Sequence, residues 1–196
     1  MAGPAVGLWL FEPCEAEDVV AGVRPWLEGF CEPVEAGAGG GLDFWVRDGS
    51  ALGVPAFDPA SVGVFFLTED EEVPAEDEDY ALFPRPPVRG LVLGAGCSGP
   101  VIQLVLGRLA LVLAECLGAL VDFDGLLGVG ATPGEGERAA GQDALLARAR
   151  ALKAALPGRL EEVWYDMWGG GRWVRHVGDA EFLAAWLAHP DYHLVT

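Results

Sequence analysis

The chain has 196 residues, of which 52% are apolar and 21% are charged. This length and apolar content can bury one sizeable core, so we expect a single domain over residues 1–196 and exclude a chain that is disordered throughout. The net charge of −18 disfavours nucleic acid as a ligand, because phosphate binding requires a cationic face.

The first half of the chain carries most of this charge. Residues 1–84 hold 18 acidic residues and two arginines, which gives a net charge of −16, whereas residues 85–196 have a net charge of −2. Within residues 69–79, eight of eleven residues are acidic. Repulsion between like charges predicts an exposed, flexible loop there that is dispensable for folding.

The same charge pattern also indicates a surface for a basic protein partner. A surface of one sign raises the rate at which a protein encounters a partner of the opposite sign. Two groups of carboxylates in the first half are the candidate partner-binding residues: Glu12, Glu15, Glu17, Asp18, Glu69, Asp70, Glu71 and Glu72.

In the first half of the chain, apolar runs and Gly- or Pro-rich turns predict strands around one helix. The strands are predicted over residues 6–11, 42–48 and 61–67, and the helix over residues 15–30. Pro25 can bend this helix. After the acidic loop, residues 83–88 predict an extended segment.

In the second half, strands and helices are intermixed. Strands are predicted over residues 89–94, 118–125, 159–167 and 171–177, the last two as a hairpin, and helices over residues 101–117, 143–156 and 179–189. Asp179 is a suitable N-cap for the last helix. This order of elements predicts an α+β fold with one mainly antiparallel or mixed sheet.

The helix over residues 101–117 is apolar on almost every side, which raises the question of a membrane span. Arg108 would then lie in the middle of the bilayer at a cost of about 2.5–3.5 kcal/mol. A helix without a polar face is also typical of one that is covered on most sides by its own protein. We therefore expect a buried helix at the centre of the fold and no membrane association.

The stretch LVLGAGCSGP combines a strand with the pattern G-x-G-x-x-G, formed by Gly94, Gly96 and Gly99. In dinucleotide-binding folds such glycines allow the backbone to approach a pyrophosphate. Here the strand begins far into the chain, and Pro100 follows the third glycine directly. We interpret the motif as a turn between a strand and a helix that has proline near its first position, and we expect no nucleotide cofactor.

The run LVDFDGLL resembles the first motif of the haloacid dehalogenase-like phosphatases, in which an apolar strand ends in D-x-D-G. The resemblance implies that Asp122 accepts a phosphoryl group and that Asp124 protonates the leaving group, in a magnesium-dependent reaction. It also requires a cation and a distal acidic pair, for which Lys153, Asp179 and Glu181 are the counterparts in this chain. A small phosphatase-like enzyme is therefore the alternative function.

Aromatic residues are concentrated at the predicted hairpin. Trp164, Trp168 and Trp173 lie within ten positions of one another, together with Tyr165. Such side chains can fill a core or form a partly exposed binding face. We include the three tryptophans among the candidate partner-binding residues.

Histidine and cysteine spacing does not predict a metal site. His189 and His193 are four positions apart, but Pro190 lies between them, so they need not share a helical face. The four cysteines show no C-x-x-C spacing, and the N-terminal sequence lacks the pattern of a signal peptide. These features predict free thiols in a reducing cytoplasm.

Three C-terminal stretches, LGALVDFDGLL, LPGRLEEVWYD and HVGDAEFLAAWLAHPDYHLV, resemble an uncharacterised family of actinobacterial proteins of about this length, a domain of unknown function. The small size and acidity also resemble those of immunity proteins, which neutralise secreted toxins. The sequence thus predicts a non-enzymatic cytoplasmic protein-binding module, immunity-like or regulatory, that engages a basic partner through its acidic N-terminal half without a cofactor.

Overall fold

The computed structural model describes residues 3–54, 57–76, 78–123, 125, 138–167 and 170–194, and of residues 138–143 the backbone alone. These residues form eight β-strands and four α-helices. The strands are β1 (Ala5–Leu10), β2 (Cys31–Ala36), β3 (Leu42–Val46), β4 (Phe65–Asp70), β5 (Arg89–Ala95), β6 (Leu120–Asp122), β7 (Leu160–Asp166) and β8 (Arg172–Gly178). The helices are α1 (Ala16–Leu27), α2 (Pro100–Leu117), α3 (Arg138–Ala155) and α4 (Ala180–Leu187).

The eight strands of the described chain join one sheet in the order β2-β3-β4-β5-β1-β6-β8-β7, and each pair is antiparallel. β1 lies in the middle because β5 and β6 pair with its two edges. α2 connects β5 to β6 and therefore crosses β1. The α+β class and the mainly antiparallel sheet that the sequence predicts are confirmed.

The main core lies between one face of this sheet and the helices. Val105, Leu106 and Leu109 of α2 are completely buried against side chains such as Leu8 of β1 and Leu93 of β5. α1 and α4 contribute to the same core. The buried central helix predicted over residues 101–117 is therefore confirmed. α2 is long and apolar enough to cross a membrane by those two criteria alone, and half of it is buried in the fold, as expected of a core helix.

The segment between β4 and β5, here the β4–β5 loop (residues 71–88), covers the opposite face of the sheet. Val73 and Phe83 of this loop pack on Trp9, which is completely buried. The loop extends as far as the edge strand β7, where the Asp79 N–H donates to the Trp164 carbonyl at 2.9 Å. Backbone and side-chain contacts therefore hold the loop on the sheet.

The prediction that residues 69–79 are exposed is wrong for part of this segment. Glu69 and Asp70 belong to β4, Val73 is only 7% exposed, and the side chain of Glu78 is only 2% exposed. Repulsion between carboxylates is a local property of the sequence. It does not account for the apolar and basic side chains on the sheet that these residues contact.

Two further elements differ from the sequence-based expectation. β2 was not predicted, because its sequence CEPVEA is short and polar and contains Pro33. β2 is an edge strand, where a missing N–H and exposed glutamates are tolerated. α3 begins at Arg138, five residues before the predicted start, whereas α4 begins as expected with the Asp179 carboxylate accepting from the Phe182 N–H at 2.8 Å.

Candidate functional site: an acidic surface and its cleft

The two acidic stretches of the sequence meet at one end of the sheet. β4 ends beside the beginning of β5 and the end of β1, since Asp70 is in register with Gly90 and Gly90 with Trp9. Arg89 joins the two stretches there: its guanidinium pairs with the Glu69 carboxylate and, at 3.0 Å, with that of Glu15. Carboxylates that are more than fifty positions apart in the sequence thus form one surface.

This acidic surface is formed by residues around the start of α1 and the end of β4, of which Glu69 and Asp70 are half-buried and the others are exposed. Glu12 and Glu15 expose 87% and 76% of their side chains even though each pairs with an arginine. Glu17 and Asp18 lie in the first turn of α1, where carboxylates interact favourably with the helix dipole. We call the following set the acidic surface: Glu12, Glu15, Glu17, Asp18, Glu69, Asp70, Glu71 and Glu72.

A cleft of about 310 Å³ continues from this surface between the β4–β5 loop and the β7–β8 hairpin. Asp70 and Glu72 belong both to the acidic surface and to the cleft wall. The described residues that line the cleft are Asp70, Glu72, Val73, Ala75, Glu78, Tyr165, Asp166, Met167 and Arg175.

One wall of the cleft holds a cluster of charged groups around Arg175. Its Nη2 atom lies 3.0 Å from Oε1 of Glu78, and its Nη1 donates to Oδ2 of Asp122 at 2.8 Å. The two carboxylate side chains are 2% and 4% exposed, and the arginine side chain is 22% exposed. Asp122 has room here because its neighbour on β1, Gly7, has no side chain. A Cβ atom at position 7 would lie only 3.0 Å from the Cβ atom of Asp122.

Two tyrosines complete the cluster. The Tyr80 hydroxyl donates to Oε2 of Glu78 and accepts from the Ala75 N–H at 2.9 Å. Burial, and then the hydrogen bond to Glu78, raise the pKa of Tyr80, so its hydroxyl remains a neutral donor. The guanidinium of Arg175 lies 5.1 Å from the centroid of the Tyr165 ring, within range of a cation–π interaction. Fixed donors therefore satisfy the buried carboxylates of this wall.

A model of a protein family of unknown function, DUF6368, matches residues 2–196, which is almost the whole chain. The chain belongs to this family. No curated protein and no solved structure gives a significant match. The membership confirms the resemblance to an uncharacterised domain of unknown function.

In this DUF6368 protein, the residues of the phosphatase-like motif have the following surroundings. Asp122 is 3% exposed and bonds to Arg175, and Asp124 lies outside the described residues. Lys153 pairs with Glu161 at 3.0 Å. Asp179 caps α4. The structure thus supplies an arginine beside Asp122, but it places Lys153 and Asp179 in other interactions.

The aromatic hairpin of the DUF6368 chain lies next to the acidic cleft. Trp164 and Trp173 are half-buried and pack against Leu146 and Val174, and Trp168 lies outside the described residues. The hairpin residues Tyr165, Asp166 and Met167 line the cleft instead. The structure therefore brings the hairpin and part of the acidic surface to one cleft. The hairpin side chains at this cleft are not the tryptophans that the sequence analysis selected.

The glycine-rich motif forms the predicted turn from β5 into α2. Gly99 has a φ of 148° and precedes Pro100, the first residue of the helix. The ring of Phe66 lies on Gly94, where a Cβ atom would be 2.2 Å from Phe66 Cζ. The surrounding sheet is antiparallel, whereas dinucleotide-binding folds use a doubly wound parallel sheet.

The histidines and cysteines do not converge in the described part of this DUF6368 chain. His189 and His193 both contact the ring of Trp186, at centroid distances of 5.1 and 5.9 Å. No group of three or more potential ligands suited to a metal ion is present among the described residues. The four cysteines are free, and two of them, Cys97 and Cys116, are exposed.

Sequence reasoning missed Arg89, Arg175, Glu78 and Tyr80 as members of the site. One signal was available for Arg175, which lies two positions before Val177 in the strand sequence RWVRHVG. In a strand, alternate residues share a face, so Arg175 lies on the same face as the buried Val177. A charged group on a covered face requires a partner, which the sequence alone did not identify.

Proposed function

We propose that this protein is a non-enzymatic binding module that engages a basic protein partner through the acidic surface. The observation that carries the proposal is the bridge by Arg89, which joins Glu15 and Glu69 and so gathers two acidic stretches at one end of the sheet. A surface on which carboxylates outnumber arginines supports recognition of a partner of the opposite sign.

The exposure of these carboxylates favours a role in association. Exposed charges attract a partner over a distance that salt limits to about 8–10 Å at physiological ionic strength. Each exposed ion pair contributes at most about 1 kcal/mol, so the main effect of the acidic surface is on the rate of encounter. We expect the association rate constant to fall as salt is added, with little change in the dissociation rate constant.

The proposal extends to the cellular setting. Four free cysteines, two of them exposed, fit a reducing cytoplasm. Eleven arginines against a single lysine, together with abundant Ala, Gly, Val and Leu, favour an actinobacterial source. A small acidic protein that neutralises a basic toxin, as immunity proteins do, is the form of this function that we favour.

The experiment is a kinetic one on the purified complex. The full chain is used to capture its partner from the native host, the partner is identified by mass spectrometry, and association and dissociation are measured at low and at high ionic strength. A basic partner whose association slows with salt supports the proposal. Association that does not change with salt contradicts it.

The aromatic hairpin gives the competing expectation for the same measurement. Buried aromatic side chains at the centre of an interface slow dissociation, and salt has little effect on them. If Trp164, Trp168 and Trp173 form the interface, truncation of one will accelerate dissociation at both salt concentrations. That result would move the binding site from the acidic surface to the hairpin.

A further inference from the structure

We propose that the cleft binds an arginine side chain of the basic partner. This inference rests on the proposed function and names the place where the partner inserts. It depends on three properties of the cleft: its size, the charge of its walls and its exposed apolar side chain.

The size of the cleft suits one side chain. Its volume of about 310 Å³ is at the lower limit of pockets that hold small molecules. The cleft lies between the β4–β5 loop, which covers the sheet, and the β7–β8 hairpin, and it is open to solvent, so an extended side chain can enter. Because Asp70 and Glu72 also belong to the acidic surface, a partner attracted to that surface arrives at the cleft entrance.

The charges on the cleft wall do not cancel internally. Arg175 is engaged by Glu78 and by Asp122, which lies behind the wall. Neither Asp70 nor Glu72 forms an ion pair within the described residues, although the Asp70 carboxylate accepts from the Glu72 N–H at 3.1 Å. A concave surface with an excess of carboxylates focuses the negative potential and favours a cation inside it.

The Asp166 carboxylate adds to this excess from the hairpin side. Its side chain is 72% exposed, and its partner Arg172 is at 3.4 Å and is itself 54% exposed. Such an exposed pair is weak and can rearrange when a competing guanidinium arrives. An incoming arginine could then bond to Asp166 with its planar fork of donors, as carboxylates commonly bind arginine.

An apolar side chain at the cleft gives an observation that is independent of charge. Met167 is 41% exposed, and it is one of four large apolar residues with this degree of exposure in the described chain. Met167 and Tyr165 line the same cleft as the carboxylates. Arginine buries its methylene groups on apolar surface, so an exposed methionine beside carboxylates suits arginine better than a hydrated metal ion.

The chain provides its own reporter for this cleft. It contains two methionines, Met1 and Met167. With methyl-¹³C-methionine, the Met167 methyl resonance of the full-length protein reports on the cleft. We would titrate this protein with tri-arginine peptide and with tri-citrulline peptide, which has nearly the same shape but no charge.

A pair of charge-matched variants locates the binding. Glu72→Gln with Asp166→Asn removes two exposed carboxylates of the cleft. Glu115→Gln with Glu181→Gln removes two exposed carboxylates that lie outside both the cleft and the acidic surface. We expect tri-arginine to shift the Met167 resonance of the wild type saturably. The cleft variant, Glu72→Gln with Asp166→Asn, should bind tri-arginine about tenfold or more weakly, since two charges within a few ångströms of the guanidinium are lost. The control variant should weaken it by less than about twofold.

Each other outcome overturns the inference. No saturable shift of the Met167 resonance excludes an arginine site in the cleft, and an equal shift with tri-citrulline excludes recognition of charge. Equal losses in the two variants would mean that tri-arginine is attracted by the net charge of the protein and not by the cleft, which leaves the proposed function in place. Saturable binding of Ca²⁺, tested with calcium chloride, at lower concentration than tri-arginine would make the cleft a cation site instead. If the native complex also shows salt-independent association, both proposals fail.

Discussion

Replacement of Arg175 by methionine tests whether the β4–β5 loop is fastened by a buried ion cluster. Methionine keeps much of the apolar stem but removes the guanidinium that contacts Glu78 and Asp122 at 3.0 and 2.8 Å. The two carboxylates, whose side chains are 2% and 4% exposed, would then be buried without this guanidinium. Removal of one partner from a buried ion pair typically lowers the free energy of unfolding by about 3–5 kcal/mol.

The assay is thermal and urea unfolding of the full chain. For a protein of this size, each kcal/mol lowers Tm by about 2–4 °C, so we expect Arg175→Met to lower Tm by about 6–20 °C. Arg172→Met is the matched control on the same strand. Its side chain is 54% exposed and pairs with Asp79 and Asp166 at 3.8 and 3.4 Å, so we expect a loss below about 1 kcal/mol.

A repair variant separates the effect of charge from a general loss of packing. When Glu78→Gln and Asp122→Asn are added to Arg175→Met, no buried charge is left unpaired, so part of the lost stability should return. A loss for Arg175→Met that is no larger than that for Arg172→Met would refute the reasoning, because it would show that the carboxylates do not depend on this cation.

Three other predictions concern stability. Replacement of residues 71–79 by a Gly/Ser linker should lower the free energy of unfolding by at least about 3 kcal/mol, since it removes a buried ion-pair partner; unchanged urea unfolding would show that this segment is not packed. Gly107→Ala should lower the stability of the protein by about 1–3 kcal/mol, because the new Cβ atom in α2 would lie 2.0 Å from the Tyr192 hydroxyl. Gly22→Ala in α1 is the control: its Cβ atom would meet nothing within 4 Å, so the change should stabilise the protein by up to about 1 kcal/mol. Equal Tm values for the two variants would contradict this prediction. Burial lowers the pKa of His176 below 6.5, so the contribution of this histidine to stability is fully present above pH 6.5 and is lost as the pH falls through its pKa in the folded protein. His176→Asn should therefore reduce the loss of stability that the protein shows between pH 7 and pH 5. A pH dependence equal to that of the wild type would count against this prediction.

The sequence was sufficient where a local pattern and the tertiary environment agree. α2 is apolar on nearly all sides and is the buried central helix, and Asp179 begins α4 as its N-cap. The glycines before Pro100 form the expected turn into α2. In these places the same residues satisfy both local conformation and packing, so periodicity and capping rules predict the outcome.

The sequence was insufficient where distant residues decide the environment. Residues 69–79 have the composition of a solvated loop, yet Val73 packs on Trp9 and Glu78 contacts Arg175. These contacts cross more than sixty positions of the chain and arise from the sheet order, which composition does not encode. The bridge between Glu15 and Glu69 was missed for the same reason, since it depends on β4 and β1 ending together beside β5.

The most direct test of the central claim is the association rate of the captured partner with two charge-matched variants. The first variant, Glu17→Gln with Asp18→Asn, removes two exposed carboxylates from the acidic surface. The second variant, Glu115→Gln with Glu181→Gln, removes two exposed carboxylates from the C-terminal half. None of these four side chains forms a salt bridge within the described residues. The account predicts that the first variant slows association at low ionic strength by several-fold more than the second and that high salt abolishes the difference. Equal association rates for the two variants at low ionic strength would contradict the claim that the acidic surface recognises the partner.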